Sequence, residues 1–418
     1  MARLFSYFQA NNNQVNHNIG KLITAIALTA GTIIGGGILA LPTVTYSAGV
    51  IPSTITLTMA WCYIVTSMLL FAEINLKVSY ENNNSNIGLL TIIQSKLGKI
   101  ASAIAVIIFL FFNYGCLVAY VSHGGDILVD CINKISFFSY SLPYWIGTSL
   151  FVFLFGGLIY FKNQNTVEKF NNLLLLLVII SFLILLSIIS NQLDFSKLEI
   201  HNWGVIKTSI PILIFSLFGH NIIPVITNHL EGNKTQTVIA IVVGTAIPFC
   251  FYLFWNALIL MNQSLEPSSI EKIFDPLELL RQGAGGENLG ILISLFSEFA
   301  VVTSFIGFVY GLLNFFIDAL NLNSSENKNI NIFILIFLPI LIFSSFFPGI
   351  FVQVLHYIGT FVVSILFGII PVMIAWKQRY HNDNQEQDLT HLNLLPKGKI
   401  VLVIISLISI GIIVGEIL

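Results

Sequence analysis

The sequence predicts an all-α polytopic membrane protein with about eleven transmembrane helices. Charged residues make up 9% of the 418 residues and apolar residues 56%, whereas a soluble globular protein carries about 25% charged residues. The apolar residues form long continuous stretches and do not alternate with polar residues as in transmembrane β-strands. Because too few charged residues remain to cover a soluble surface, we expect the chain to lie in a lipid bilayer. The net charge of −2, without a basic block, gives no electrostatic basis for binding nucleic acid.

Eleven apolar stretches reach the length of roughly 20 residues that a helix needs to span a bilayer. They lie at residues 20–47, 50–76, 97–123, 143–161, 170–190, 205–230, 236–261, 288–320, 330–347, 349–376 and 399–417. Residues 1–19 are expected to form a polar cytoplasmic tail, and residues 20–418 a single transmembrane domain. The acidic loop 262–287 is expected to contain a short amphipathic helix near residues 270–280.

The distribution of Lys and Arg predicts the orientation, because cytoplasmic loops are enriched in these residues. With a cytoplasmic N-terminus, thirteen of the 18 fall on the cytoplasmic side. The five on the outer side are Lys134, Lys197, Lys207, Lys272 and Arg281. One missed or extra helix would scramble this division, so the division supports the helix count as well. The C-terminus is then expected on the outer side.

The first and sixth helices are interrupted in corresponding positions. The first reads GTIIGGGILALP over residues 31–42 and the sixth reads FSLFGHNIIP over residues 215–224. In each, a glycine is followed five residues later by a proline. The three glycines Gly35–Gly37 cost about 3 kcal/mol in a helix relative to alanine, and a proline removes a further backbone hydrogen bond. Glycines also permit tight helix packing, but two matching breaks favour backbone that lines a cavity.

The two breaks lie about 180 residues apart, and the helix starts repeat at a similar offset. This spacing is typical of an inverted-repeat transporter with five plus five helices. The repeats are expected at about 20–190 and 205–376, with an additional helix at 399–417. At each break, a half-helix N-terminus suits a carboxylate, and the carbonyl groups before the break suit an ammonium group or a cation. An amino acid satisfies both, which favours amino acids over sugars as substrates.

The residues at these breaks resemble a known family. Residues 31–42 followed by Ala48-Gly49 resemble the signature of the aromatic amino acid permeases, which are the tryptophan- and tyrosine-specific members of the amino acid–polyamine–cation superfamily. Residues 216–224, 119–122 and 300–307 are similar to further segments of this family. The resemblance implies a LeuT-like fold with eleven helices. It also implies import of tyrosine, tryptophan or phenylalanine by proton symport across the bacterial inner membrane, with no cofactor.

The expected substrate contacts lie at the two breaks and on the third helix, where Tyr120 shares a face with Asn113 and Cys116. At a break, unwound backbone and small side chains leave room for a ligand, and an aromatic side chain nearby can stack on the substrate. The candidate residues are Thr32, Gly35, Gly36, Gly37, Tyr120, Ser216, Phe218, Gly219, His220 and Asn221.

Four residues are candidates for binding the coupling ion. His220 lies in the sixth-helix break, and an imidazole exchanges protons near neutral pH. Glu298 is the one acidic residue well inside the eighth helix. Thr303 and Ser304 resemble the hydroxyl pair that binds sodium in LeuT-like sodium transporters. Sodium coupling therefore stays open beside proton coupling, and no other metal is expected.

Three other functions stay open from the sequence alone. The first is a sodium-coupled or proton-coupled permease for another neutral amino acid. The second is a membrane-embedded enzyme, which needs clustered titratable residues at membrane depth, whereas only His220 among the histidines lies deep in a span. The third is a channel, which has no need for paired discontinuous helices, and the sequence contains no filter-like repeat.

Overall fold

The structure, a computed structural model, describes residues 19–82, 88–135, 142–263, 265, 276–282, 286–320, 330–380, 392–396 and 398–418. Within these residues, nine helices are long and apolar enough to cross a membrane. A tenth span consists of two helices, Ile19–Ile33 and Gly37–Ala48, whose axes differ by 53°. An eleventh apolar helix, Ile330–Phe346, has 17 residues. The predicted all-α architecture of about eleven helices is therefore confirmed.

The helices are labelled in chain order. They are α1 (Ile19–Ile33), α2 (Gly37–Thr45), α3 (Val50–Asn82), α4 (Leu89–Leu97), α5 (Lys99–Ile135), α6 (Tyr144–Phe151), α7 (Gly157–Phe161), α8 (Gln164–Ile189), α9 (Ile210–Ser216), α10 (Ile223–His229), α11 (Lys234–Leu260), α12 (Pro276–Arg281), α13 (Glu287–Ala319), α14 (Ile330–Phe346), α15 (Phe351–Tyr357), α16 (Ile370–Tyr380) and α17 (Lys399–Ile417). A π-helical turn at Val152–Gly156 joins α6 to α7, and a longer π-helical segment at Ile358–Ile369 joins α15 to α16.

Several helix ends differ from the prediction. The second predicted helix ends at residue 76 and the third at residue 123, but α3 continues to Asn82 and α5 to Ile135. A prediction from hydropathy ends a membrane helix where polar residues begin. The helix itself continues wherever its polar side chains reach water or a partner. The short helix predicted near residues 270–280 corresponds in part to α12, and residues 266–275 lie outside the described part of the chain.

A buried ion cluster joins three elements at one end of the bundle. The carboxylate of Glu73 on α3 accepts hydrogen bonds at 2.8 and 2.9 Å from Nη2 of Arg379 on α16. Lys77 donates at 2.9 Å to the same carboxylate, and the backbone N–H groups of Leu394 and Leu395 donate to it at 3.0 and 3.2 Å. We call this end, which carries Lys77 and Arg379, the basic end. The opposite end carries α12 and is called the α12 end.

The interrupted helices lie at the centre of the bundle. Helix α2 packs on α9 and α11, α9 and α10 pack on α3, and α9 also packs on the π-helical segment 358–369. At the first break, Gly35 approaches Ser304 of α13 and Gly36 approaches Tyr120 of α5. The two breaks are buried at mid-bundle, where the polar backbone that they expose has no access to lipid. The fold therefore brings residues that are far apart in the chain to one central site.

Candidate functional site

The breaks in the two discontinuous helices contact each other directly. The hydroxyl of Ser216, at the end of α9, donates towards the carbonyl oxygen of Gly37 at 3.0 Å and towards that of Ile212 at 2.7 Å. A Cβ atom on Gly37 would lie 3.0 Å from the Cα atom of Ser216. This close approach favours a glycine as the third residue of the run, because a Cβ atom would push Ser216 away.

The first two glycines of the run touch α5 and α13. A Cβ atom on Gly35 would lie 2.5 Å from Oγ of Ser304, and one on Gly36 would lie 2.5 Å from Cε1 of Tyr120. The backbone N–H of Gly36 donates to Ser304 Oγ at 2.9 Å. The break therefore holds a tyrosine and a serine against its backbone, and any larger side chain at these positions would separate them.

A cavity of about 900 Å³ opens beside the breaks. Its volume falls within the range of roughly 300–1,000 Å³ that is typical of small-molecule sites. Six phenylalanines and one tyrosine line it, and the small residues of α1 and α13 provide the space between them. These aromatic residues are Phe71, Phe109, Phe215, Phe218, Phe308, Phe367 and Tyr120. The cavity is therefore mainly apolar, with backbone and hydroxyl groups at one side.

The cavity extends from the breaks to the basic end. Thr24, Leu28 and Thr32 line it along one face of α1, and their side chains are exposed. On the other side of the breaks, Tyr120 is buried and its ring packs against Phe351 at 6.3 Å between centroids. The site is therefore accessible from the basic end and closed towards the α12 end.

His220 occupies a fixed position at the edge of the site. Its Nε2 lies 3.0 Å from the hydroxyl of Ser67, and that hydroxyl donates its hydrogen to the carbonyl oxygen of Phe367. In the tautomer that carries a proton on Nε2, the imidazole donates to this hydroxyl oxygen. The rings of Phe218 and Phe367 lie 5.2 and 4.7 Å from the imidazole. The imidazole is thus shielded from water in this conformation.

Most of the residues predicted from the sequence meet at this cavity. The residues on its wall are Thr32, Gly35, Gly36, Gly37, Tyr120, Ser216, Phe218, His220, Asn221, Thr303 and Ser304. Gly219 lies behind the wall, because a Cβ atom there would be 2.7 Å from Ile33. Glu298 is not on the wall either. It lies six residues before Ser304 on α13, about 9 Å nearer the α12 end.

Sequence reasoning missed the side chains that support His220. Ser67 lies in the long apolar helix α3, and Phe367 is one of 35 phenylalanines. A hydroxyl in an apolar helix is only weak evidence for a functional residue. A phenylalanine in a sequence this rich in phenylalanine is no evidence for one. Only the packing of α3 against the π-helical segment identifies them.

A solved structure shares this fold. The crystal structure of MhsT in complex with L-phenylalanine matches with a TM-score of 0.60 at 16% identity, covering 94% of this chain and 97% of that chain. The shared fold, together with two interrupted helices that meet at a central cavity, defines a multi-span membrane protein of the LeuT-like fold class.

The sequence places the chain within a family of this class. Residues 18–415 match the model of the tryptophan/tyrosine permease family, and the chain belongs to this family. Tyrosine-specific transport system 1 of Haemophilus influenzae is 28% identical over 375 residues, covering 88% of this chain and 90% of that protein. The tryptophan-specific transport protein of the same organism is 26% identical, covering 86% and 88%. The family is one of permeases, so the chain is a transport protein and not an enzyme.

Proposed function

We propose that this protein imports tyrosine or tryptophan across the bacterial inner membrane together with a proton. The observation that carries the proposal is the cavity at the paired helix breaks, because it combines exposed backbone with an aromatic wall. The two relatives named above are described as tyrosine-specific and tryptophan-specific, which supports an aromatic substrate.

The substrate would bind with its polar end at the breaks. The amino and carboxylate groups would meet the backbone around Gly36 and Ser216, where helix ends supply partial charges of both signs. The aromatic ring would lie among Phe218, Phe308 and Phe367. This orientation follows from the side of the cavity on which each type of group is found.

The basic end would face the cytoplasm, because cytoplasmic segments are enriched in Lys and Arg. In that orientation the conformation described here is open to the inside, and the C-terminus lies in the periplasm. Transport would then proceed by closing the basic end and opening the α12 end around the same site. The expected repeats, about 20–190 and 205–376, would rock against each other in this step.

Uptake by purified protein in proteoliposomes tests the proposal. Labelled tyrosine, tryptophan, phenylalanine, leucine and serine are compared under a proton gradient, a sodium gradient and no gradient. We expect proton-driven uptake of tyrosine or tryptophan. Uptake driven by sodium would instead favour a cation at Thr303 and Ser304, and uptake of leucine or serine alone would favour a different substrate class.

A pair of matched variants tests the location of the site. Gly36→Leu places a side chain where Tyr120 packs and should abolish transport while the protein still inserts into the membrane. Gly411→Leu makes the same change on α17, where no described atom lies within 4 Å of the Cβ position, and should leave transport intact. Normal transport by Gly36→Leu would exclude the first break as the binding site.

A further inference from the structure

We propose that Glu298 binds the coupling proton, in a buried cluster with Arg281, Asp126 and His123 that lies between the substrate cavity and the α12 end. The proposal rests on the proton coupling proposed above and names the residue that carries the proton. It separates the proton site from the substrate site, so the two can be tested independently.

Glu298 lies inside the bundle without a hydrogen-bond partner. Both of its carboxyl oxygens are buried, and neither has a partner among the described residues. It lies in the span Glu287–Ile317, three turns from the start of α13. An ionised carboxylate in such a position is strongly disfavoured, because burial removes its hydration and no donor replaces the water.

A guanidinium reaches the same region from α12. Arg281 is 7% exposed, although it belongs to a short helix in a loop. The α12 backbone packs tightly on α13, since a Cβ atom on Gly290 would lie 2.8 Å from the carbonyl oxygens of Leu280 and Arg281. Arg281 interacts electrostatically with Glu298, with Asp126 and with His123. The α12 helix thus places one positive charge among three titratable groups.

The other two titratable groups belong to α5. His123 is buried and stacks on Phe351, with 4.5 Å between the ring centroids. Asp126 lies one turn further towards the α12 end, close to Tyr144 of α6. Phe351 also packs against Tyr120, so the cluster lies directly above the closed side of the substrate cavity.

The remaining elements packed on α13 add no ionisable group at this level. Helix α14 has no ionisable side chain, and the charged residues of α8, Glu168 and Lys169, lie at the basic end. Towards the α12 end, Glu278 and Asp130 are exposed and interact electrostatically with Asp126. The acidic residues Glu278, Asp130 and Asp126 therefore lead from water to Arg281, which also interacts electrostatically with Glu298.

The charges of the cluster require one proton. Apart from the exposed Glu278 and Asp130, one guanidinium lies near two carboxyl groups. This inner set is neutral when one carboxyl is ionised, one is protonated and His123 is uncharged. Asp126 lies closer to water, and Glu298 has its oxygens buried, so the proton resides on Glu298. The transferred species is a proton. It comes from water at the α12 end and binds the Glu298 carboxylate while that end is open.

This arrangement couples protonation to closure. Closing α12 over an ionised Glu298 would bury two carboxylates against one guanidinium, which opposes closure until the proton is bound. Release towards the basic end would pass through His123, whose imidazole is the member of the cluster nearest to Tyr120 and the cavity.

Two transport assays on the full-length protein in proteoliposomes test the proposal. Counterflow of labelled tyrosine without an ion gradient measures substrate exchange, and accumulation under an inward proton gradient measures coupling. A gradient of about one pH unit supplies about 1.4 kcal/mol per proton, which corresponds to tenfold accumulation. We expect Glu298→Gln to retain counterflow and to lose accumulation. Glu298→Asp should restore accumulation, and Glu168→Gln, a surface control on α8, should behave as the wild type.

A second variant keeps the test decisive if Glu298→Gln is inactive in both assays. Arg281→Gln removes the positive charge, so Glu298 should bind its proton more tightly and the pH profile of tyrosine uptake should move to higher pH by about one unit. An unchanged profile, or proton-driven accumulation by Glu298→Gln equal to that of the wild type, would overturn this inference alone. Absence of aromatic uptake by the wild type would instead overturn the proposed function.

Discussion

Single residues shape this site mostly by their small size. Gly35, Gly36 and Gly37 bring backbone against Ser304, Tyr120 and Ser216. On α13, Gly307 lies on the cavity wall, and no described atom lies within 4 Å of the position that its Cβ would take. The space for an aromatic ring is therefore created by absent side chains as much as by the phenylalanines around it.

Gly307→Val tests this use of space. The valine side chain would project into the cavity, so we expect KM to rise by roughly tenfold for tryptophan and by less for the smaller tyrosine. Initial uptake rates in proteoliposomes measure both. Gly415→Val, at an open position on α17, serves as the control. Equal changes for the two substrates would argue against a ring site at Gly307.

The link between Ser67 and His220 leads to a second prediction at this scale. Ser67→Ala removes a buried partner from the imidazole and from the carbonyl of Phe367, which costs about 1–3 kcal/mol. We expect weaker tyrosine binding, by about tenfold, in a direct binding assay with labelled tyrosine. Thr66→Ala, whose hydroxyl donates to the Cys62 carbonyl within its own helix, should bind tyrosine normally. Unchanged binding by Ser67→Ala would show that the position of His220 does not matter for the substrate.

At the scale of the element, the interrupted helices explain how the site is reached. One face of α1 lines the cavity up to the basic end, and Lys21 at its start pairs with Glu231 after α10 at 2.6 Å. The halves of the two interrupted helices that lie at the basic end are therefore tied to each other. Their movement relative to α5 and α13 would close this end.

Thiol labelling tests the exposure of α1. In a background in which the native cysteines are replaced, Thr24→Cys should react with a membrane-impermeant reagent from the cytoplasmic side, and tyrosine should slow the reaction. Gly20→Cys, on the same helix but outside the cavity wall, should react without protection by substrate. Reaction of Thr24→Cys only from the periplasmic side would reverse the proposed orientation.

At the scale of the whole molecule, a low charge content makes each buried charge conspicuous. The described spans contain two buried charge clusters, one at each end of the bundle. At the basic end, Glu73 is 1% exposed and is neutralised by Arg379 and Lys77. At the α12 end, Arg281 is buried and lies near enough to Glu298 and Asp126 to interact electrostatically with each. The Glu73 carboxylate accepts hydrogen bonds from four residues and acts as a brace. Both carboxyl oxygens of Glu298 have no hydrogen-bond partner among the described residues, as the proposed exchange of a proton requires.

The brace should be important for stability. Glu73→Gln removes the negative charge and leaves two buried cations, which we expect to cost about 3–5 kcal/mol. The melting temperature in detergent should fall markedly. Glu81→Gln breaks the more exposed pair with Lys96 and should cost at most about 1 kcal/mol. Equal melting temperatures for the two variants would contradict a structural role for Glu73.

The sequence predicted the elements and most of the residues that the structure brings to the central cavity, and the roles of these residues in binding stay predictions. The helix count and both breaks follow from apolar length and from glycine and proline chemistry, which act locally along the chain. The positions of Gly36, Tyr120 and Ser304 at one cavity agree with the structure, because backbone that cannot be helical must be buried among polar partners. Helix ends at residues 82 and 135 were not predicted, since they depend on contacts beyond the apolar run.

By itself, then, the sequence determined that this chain is a membrane protein of about eleven helices with two interrupted spans. These properties depend on hydropathy and backbone propensity, which each short segment carries independently. The tertiary structure alone decided that Ser67 lies against His220, that the cavity extends to the basic end, and that Arg281 lies near Glu298 and Asp126. Ser67 and His220, for example, are about 150 positions apart in the chain. Hydropathy and backbone propensity are properties of short segments, so they do not predict which distant side chains lie close together.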